Sequence, residues 1–189
     1  MQSRRLPDSD ARAALDEAVR RVGTIALVHE TLSQGFDETV DFDDIIGRGL
    51  AGMVEVATRD LPVAAERSGS FGRLRAEDAT ALAMVVTELV HNAIKHGLAS
   101  SGGVVTVRAD RSHDQHDELL TVTVTDDGSG LPEDFDPADS GLGTQIVTSL
   151  ISDLRGVITW SSAKPHGTMV RFVARLRSIK SIESVKDGV

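Results

Sequence analysis

The segment Thr87-Glu-Leu-Val-His-Asn-Ala-Ile-Lys-His96 belongs to a predicted amphipathic helix that runs from about residue 77 to 96 and ends at Gly97. At 3.6 residues per turn, one face of this helix is apolar, and the opposite face gathers polar side chains within about 80° of Glu88. These side chains are Glu88, His91, Asn92, Lys95 and His96. An exposed polar face is the ordinary interpretation, but asparagine is a poor helix former. We therefore treat this face as a candidate site.

Three glycine-containing segments follow this helix. A predicted strand places Asp126 at its end, and Gly128 and Gly130 come directly after it. The segment 140–145 opens a predicted helix, where free backbone N–H groups favour phosphate binding. Gly167-Thr168 opens the last predicted strand. Each segment alone is also typical of an ordinary turn or a capped helix, so the order and spacing of all three carry more information than any one of them.

The remaining pattern predicts an α+β fold. An amphipathic helix over 11–34 has an apolar seam of heptad-like spacing, which suits packing against another long helix. Hairpin-length connections favour antiparallel pairing, which excludes a doubly wound parallel sheet. The other predicted elements are a helix from about 41–43 to 58, a helix over 143–154, and strands over 63–67, 103–110, 119–125, 157–162 and 168–176.

Composition and charge exclude several functional classes. The chain has 189 residues, 20 basic and 29 acidic, for a net charge of −9. This balance argues against a nucleic-acid surface, which needs a basic stripe. No apolar run is long enough to span a bilayer, and the absence of cysteine fits a cytoplasmic protein. Ten of the acids lie between Arg111 and Arg155, a window without Lys or Arg.

The ordered motifs resemble the N, G1 and G2 boxes and the Gly-Thr element of the GHKL, or Bergerat-fold, ATPases. Within them, Thr87–His96 is similar to the HisKA_2 and HWE branch of histidine kinases, and Arg20–Glu30 is similar to the second dimerisation helix of those kinases. The resemblance implies a two-layer α/β sandwich with a mixed sheet and helices on one face, preceded by a dimerisation-type helix. It implies a partial dimerisation segment at 1–36, an ATPase domain at 37–177 and a flexible tail at 178–189.

The resemblance also implies roles for individual residues. Asn92 matches the Mg²⁺-binding asparagine, and Glu88 matches the catalytic acid that holds water near the metal. Lys95 and His96 match positions that reach the phosphates, and Asp126 matches the carboxylate that accepts the adenine amine. The remaining nucleotide-binding positions are Gly128 and Gly130 in the adenine pocket, Gly141, Leu142, Gly143 and Thr144 at the hinge of the ATP lid, and Thr168 beside Asp126.

One departure from the family pattern concerns the phosphoacceptor. Kinases of this branch carry the acceptor histidine in a His-His-Arg-x-x-Asn-Asn-like stretch, which this sequence lacks. His29 lies on the apolar seam, and we interpret it as a packed residue and not as a phosphoacceptor.

The implied function is the ATP-binding domain of a two-component sensor kinase. We expect this chain not to phosphorylate itself. In the kinase, the phosphate on the acceptor histidine is expected to pass to a response-regulator receiver domain, and ANTAR-type RNA-binding regulators are one candidate.

Two alternatives remain open at this point. An anti-sigma-factor serine kinase of the RsbW type has a similar fold, although a compact protein of that kind does not need the helical seam at 11–34. A nucleotide-binding module without catalysis is the other. In every case the acidic lid, 131–140, cannot neutralise a triphosphate, so we expect Mg²⁺ to be required with ATP and the lid to stay open until both arrive. The full-length kinase is expected to be a homodimer that binds neither nucleic acid nor membrane.

Overall fold

A computed structural model describes residues 8–33, 39–59, 61–114 and 117–177. It contains four α-helices and seven strands within these ranges. In chain order they are α1 (Asp8–Ser33), β1 (Thr39–Asp41), α2 (Phe42–Ala57), β2 (Val63–Gly69), β3 (Arg73–Arg75), α3 (Ala76–Asn92), β4 (Gly103–Asp114), β5 (Asp117–Asp126), α4 (Leu142–Asp153), β6 (Val157–Ser162) and β7 (Thr168–Leu176). A π-helical turn, Ala93–Gly97, continues α3.

The main sheet has five strands in the order β2-β4-β5-β7-β6. Strand β2 pairs with β4 in parallel, whereas the other three pairs are antiparallel. Alternate residues of the central strands are buried in one core with the helices, while residues such as Thr123 and Arg171 face the other side. The predicted α+β sandwich with a mixed sheet is therefore confirmed.

Several boundaries differ from the prediction. Residues 111–118 were expected to form a polar connection, but β4 and β5 extend far into this segment and pair as far as Asp114 and Asp117. Polar residues of a two-stranded extension face solvent on both sides, which conceals the alternation on which the prediction rests. The small sheet of β1 and β3 was not predicted, since strands of three residues carry too little pattern. The predicted tail at 178–189 lies outside the described residues.

Helix α1 packs with a different face from the one expected. The seam residues Leu15, Val19 and Val22 are 63–66% exposed, and His29 is also exposed. Val28, off that seam, is fully buried instead. These seam residues and His29 are therefore exposed in the single chain that the structure describes, and packing of the seam against another long helix stays a prediction. None of the helices in the described ranges is both long and apolar enough to cross a membrane.

A single carboxylate organises the connection between β2 and β3. Asp43, in the first turn of α2, accepts the backbone N–H groups of Phe71 (3.1 Å) and Gly72 (2.9 Å) and the hydroxyl of Ser70 (2.7 Å). Arg67 pairs with the same carboxylate. Burial alone raises the pKa of Asp43, but these hydrogen bonds and the arginine charge outweigh it and hold the pKa below its ordinary value.

Asp43→Asn is expected to destabilise the protein by about 1–3 kcal/mol at pH 7, because it removes a charged acceptor of several hydrogen bonds. Since the folded-state pKa is depressed, this stabilisation is present above the unfolded pKa, near 3.8, and is lost as the pH falls through the folded value. Urea unfolding of both proteins from pH 7 to pH 3 measures the effect. Asp44→Asn, at an exposed neighbour, is the control; a constant difference between Asp43→Asn and wild type across this range contradicts the prediction.

Candidate nucleotide-binding site

A cavity of about 500 Å³ lies between the end of α3, the buried face of the sheet and the segment before α4. It brings together ten of the twelve residues that the sequence assigns to the site. These are Asn92, Lys95, His96, Asp126, Gly130, Gly141, Leu142, Gly143, Thr144 and Thr168. The resemblance to the ATPase family thus implied a set of residues that are distant along the chain but adjacent in the fold.

Asp126 is fixed at the base of this cavity. It is the last residue of β5 and only 4% exposed. Its Oδ1 accepts the backbone N–H groups of Gly128 (3.0 Å) and Thr168 (3.2 Å). The pairing of β5 with β7 brings Thr168 beside it, because Thr125 is opposite Met169. With Oδ1 engaged by two backbone donors, Oδ2 is the oxygen that remains for a ligand.

Two glycines allow the backbone to close around this carboxylate. A Cβ on Gly97 would lie 2.6 Å from Asp126 Oδ1, and a Cβ on Gly128 would lie 2.1 Å from the carbonyl oxygen of Gly97. Any larger residue at either position must displace the backbone or the carboxylate. Gly128 therefore does not line the cavity, but its close contact with Gly97 and its hydrogen bond to Asp126 help to fix the position of that carboxylate. Gly97 was predicted only as the end of a helix, and its contact with Asp126 gives it a second role.

The start of α4 faces the same cavity. Gly141 caps this helix, and the residues from Gly141 to Thr144 line the cavity. The first N–H groups of a helix have no intrahelical acceptor, and the helix dipole places partial positive charge there. This end of the cavity can therefore accept an anion such as a phosphate group.

The end of α3 and its π-helical turn supply polar side chains on the opposite side. Asn92 is half-buried, while Lys95 and His96 are exposed at the cavity wall. Burial and the neighbouring Lys95 charge both lower the pKa of His96. Lys95 is thus the fixed cation of this wall, and His96 becomes a second one only when an anion or acidic conditions favour its protonation.

Glu88 is placed differently from the expectation. The helical wheel put it on an open polar face, but its side chain is buried beneath α1 and does not line the cavity. Arg20 Nη2 (3.0 Å) and Arg21 Nε (2.8 Å) both donate to Glu88 Oε1. Burial raises the pKa of Glu88, but these bonds and charges outweigh it and lower the pKa overall. The burial arises from packing between helices, which a single-helix pattern does not contain.

The donor set suits a magnesium ion only in part. Within residues 8–33, 39–59, 61–114 and 117–177, no group of three or more His, Cys, Asp or Glu side chains could hold a metal ion. Asn92 offers a carbonyl oxygen, a hard ligand of the kind that Mg²⁺ accepts. Mg²⁺ at this site would therefore depend on phosphate oxygens and water for its other ligands, which is its usual mode of binding with nucleotides.

Two aromatic residues in the cavity wall were not assigned a role from the sequence. Phe135, in the segment before α4, and Trp160, on β6, both line the cavity, and their ring centroids are 6.3 Å apart. Trp160 lies opposite Val170, another lining residue, so the strand register brings it to this face. That register depends on long-range pairing. Trp160 is also the only tryptophan in the chain, which makes it a fluorescent reporter of the cavity.

Two family models match the chain. The model described as histidine kinase-, DNA gyrase B- and HSP90-like ATPase matches residues 77–178, more than half of the sequence. The chain belongs to this ATPase family. A second model, described as histidine kinase (HisKA_2), matches residues 1–56. The branch that the sequence resembles is therefore confirmed.

This ATPase domain is homologous to the sensor histidine kinase PdtaS. It is 46% identical over 175 residues to PdtaS of Mycobacterium tuberculosis and 44% identical over 174 residues to PdtaS of Mycolicibacterium smegmatis. Each alignment covers 90% of this chain and 34% of the relative. The chain thus spans about a third of the length of these curated relatives.

Solved structures support the same assignment. The histidine kinase domain of the blue-light-activated kinase EL346 from Erythrobacter litoralis superposes with a TM-score of 0.73 at 25% identity, covering 84% of this chain and 74% of that one. The catalytic domain of the histidine kinase ThkA shares the fold. It has a TM-score of 0.56 at 20% identity, and the match covers 73% of this chain and 94% of that one. The match to the EL346 kinase domain, together with the family models and the PdtaS relatives, gives no support to the anti-sigma-factor alternative.

Proposed function

We propose that the cavity binds ATP together with Mg²⁺ and that the domain transfers the γ-phosphate to a histidine. The supporting observation is the buried Asp126 carboxylate, which lines the cavity with one oxygen held by two backbone N–H groups. A carboxylate that is fixed and only partly engaged is suited to accept a hydrogen bond from the exocyclic amine of adenine. The start of α4 lies in the same cavity and would receive the phosphates.

The proposed chemistry is mainly positioning and charge neutralisation. The lone pair of a histidine nitrogen attacks the γ-phosphorus, and the bond from that phosphorus to the bridging oxygen breaks, releasing ADP. Bound Mg²⁺ would neutralise phosphate charge, with Asn92 as its ligand from this chain. Lys95 and a protonated His96 would stabilise the charge that develops on the leaving phosphate. Glu88 would hold a water molecule at the metal or accept a proton only after its side chain moves to the cavity, which it does not line here.

The proposed partners follow from the same assignment. The phosphorylated histidine would pass its phosphoryl group to an aspartate of a response-regulator receiver domain, and a regulator of the ANTAR type is one candidate. The exposed stripe of Leu15, Val19 and Val22 on α1 supports a homodimer, because it leaves an apolar face without a partner. A cytoplasmic location stays a prediction from the sequence.

A fluorescence titration tests the proposal directly. Because Trp160 lines the cavity, adding ATP and Mg²⁺ is expected to change its emission in a saturable way. ADP is expected to compete with ATP and so to raise the ATP concentration needed for half-saturation. Incubation with γ-labelled ATP and a separate polypeptide that carries the His-His-Arg-x-x-Asn-Asn stretch should then give an acid-labile, base-stable label on that polypeptide. Saturable binding without any transfer supports a nucleotide-binding module only, and no binding contradicts the proposal.

A further inference from the structure

The ion pairs of Glu88 connect the first helix to the nucleotide-binding side of α3. Glu88 is 1% exposed, and its Oε1 receives both arginine bonds, from Arg20 and Arg21. The two arginine side chains are themselves only 18% and 15% exposed. Glu88 lies one helical turn before Asn92, whose side chain lines the cavity. The contact therefore lies directly behind the cavity wall.

The hydrogen bonding within this contact is incomplete. Glu88 Oε2 and two nitrogens of Arg20, Nε and Nη1, are buried without a hydrogen-bond partner. Buried polar groups that are left unpaired destabilise the fold, and a buried ion pair contributes little net stability even when it is well formed. Stability alone is thus a poor explanation for placing these three charged side chains together.

The arrangement also keeps the carboxylate out of the cavity. Glu88 does not line the cavity, whereas Asn92, one turn later on the same helix, does. Its Oε1 is occupied by two arginine donors. An acid that holds water at a nucleotide-bound metal must present its oxygens on the cavity side. With Oε1 held by the arginines and the side chain outside the cavity lining, Glu88 does not fill that role in the arrangement described here.

The packing around α1 leaves room for the helix to move. A groove of about 850 Å³ separates parts of α1, α2 and α3, and Arg20 lines it. Three glycines at its edge, Gly23, Gly49 and Gly52, have no atom within 4 Å of the position of an added Cβ. His91 and Lys95 line both this groove and the nucleotide cavity. Val28 of α1 is fully buried, but the part of the interface that faces this groove is unfilled.

We infer that Arg20 and Arg21 are positioning residues that hold Glu88 away from the nucleotide, so that displacement of α1 controls whether Glu88 reaches the metal–nucleotide complex. The inference rests on the proposed function. Coupling between two sites is reciprocal: if release of α1 strengthens Mg·ATP binding, Mg·ATP must loosen α1 by the same factor. The structure described here is then the restrained arrangement of the domain.

The first experiment measures the dissociation constant of ATP by calorimetry with and without Mg²⁺, and takes the ratio of the two as the metal enhancement. In Arg20→Gln/Arg21→Gln, this ratio is expected to rise about tenfold over wild type, because Glu88 becomes free to act at the metal. Adding Glu88→Gln to that double variant should return the ratio to the wild-type value. Arg20→Lys/Arg21→Lys keeps the charges and should stay within about twofold of wild type.

Arg108→Gln is the matched control, since it removes an arginine from an exposed ion pair with Asp110, far from Glu88 in the sheet. An unchanged metal enhancement in the glutamine double variant, with ATP still bound, overturns the inference and leaves the proposed function intact. Failure of the wild-type protein to bind ATP contradicts both. If the double variant does not fold, Arg20→Gln and Arg21→Gln alone each remove one bond, and each should raise the ratio.

The second experiment needs no variant and no catalytic activity. Amide hydrogen exchange of the wild-type protein is compared without nucleotide and with saturating Mg·ATP, together with Trp160 emission to confirm binding. Exchange over residues 19–28 of α1 is expected to become faster when Mg·ATP binds, while β5 and β7 are expected to become slower. Slower or unchanged exchange in α1 at saturation overturns the inference.

Discussion

Asp126→Ala is expected to weaken ATP binding at least a hundredfold, which is the largest effect of any single substitution at this site. The carboxylate is buried, lines the cavity and is held by the N–H groups of Gly128 and Thr168. Its loss removes the acceptor proposed for the adenine amine and leaves two backbone donors without their partner. A site built around a hydrogen bond discriminates strongly when that bond is lost.

A second substitution separates binding from folding. Asp126→Asn keeps an oxygen that accepts from the two backbone N–H groups but presents an amide N–H₂ to the base. This N–H₂ and the exocyclic amine of adenine are both donors, so they cannot form a hydrogen bond with each other. We expect it to fold like wild type, lose ATP affinity, and gain affinity for inosine triphosphate, whose 6-oxo group accepts that donor. Calorimetry with both nucleotides measures this change in preference.

Asp127→Asn is the control for this substitution. Asp127 is the neighbouring acid, but its side chain accepts the backbone N–H of Val104 (2.7 Å) and does not line the cavity. The ATP affinity of the Asp127→Asn variant is expected to match that of the wild-type protein. If Asp126→Asn binds ATP as tightly as wild type does, the assignment of the adenine pocket is wrong.

The features that were predicted from the sequence are those that local patterns determine. Strands β6 and β7 begin and end at the residues predicted for them, because apolar alternation and a Pro-Gly-containing turn delimit both. The lining residues Asp126 and Thr168 follow from the order of the motifs, since Asp126 ends β5, Thr168 begins β7, and glycines near both allow close approach. Strand alternation and turn residues are local patterns, and the order of the motifs is a property of the sequence itself, so neither depends on which elements pack together.

The features that were missed depend on contacts between elements. Glu88 lies on the polar side of its own helix and is nevertheless buried, because α1 crosses that face and supplies Arg20 and Arg21. The apolar seam of α1 was expected to be packed, yet Val28 outside that seam makes the buried contact. Trp160 enters the cavity wall through strand register. Helix spacing and strand alternation say which face is polar, but not which partner covers it.

Asn92→Ala is expected to abolish the enhancement of ATP binding by Mg²⁺. Asn92 ends α3, is half-buried and lines the cavity, while Glu88 one turn earlier is held by the arginines of α1. Among the described residues of α3, Asn92 is therefore the side chain best placed to contribute an oxygen ligand to Mg²⁺. Without it, the dissociation constants of ATP measured with and without Mg²⁺ should converge.

Asn92→Asp distinguishes the loss of an oxygen ligand from the loss of side-chain volume at position 92. Aspartate has nearly the same size and supplies a stronger oxygen ligand for Mg²⁺, but its charge repels free ATP. We therefore expect weaker binding of ATP alone and a metal enhancement at least as large as in wild type. Gln145→Ala removes an exposed amide from α4 outside the cavity lining and should leave both constants unchanged. An undiminished enhancement in Asn92→Ala would show that the acidic site obtains its metal through phosphate and water alone.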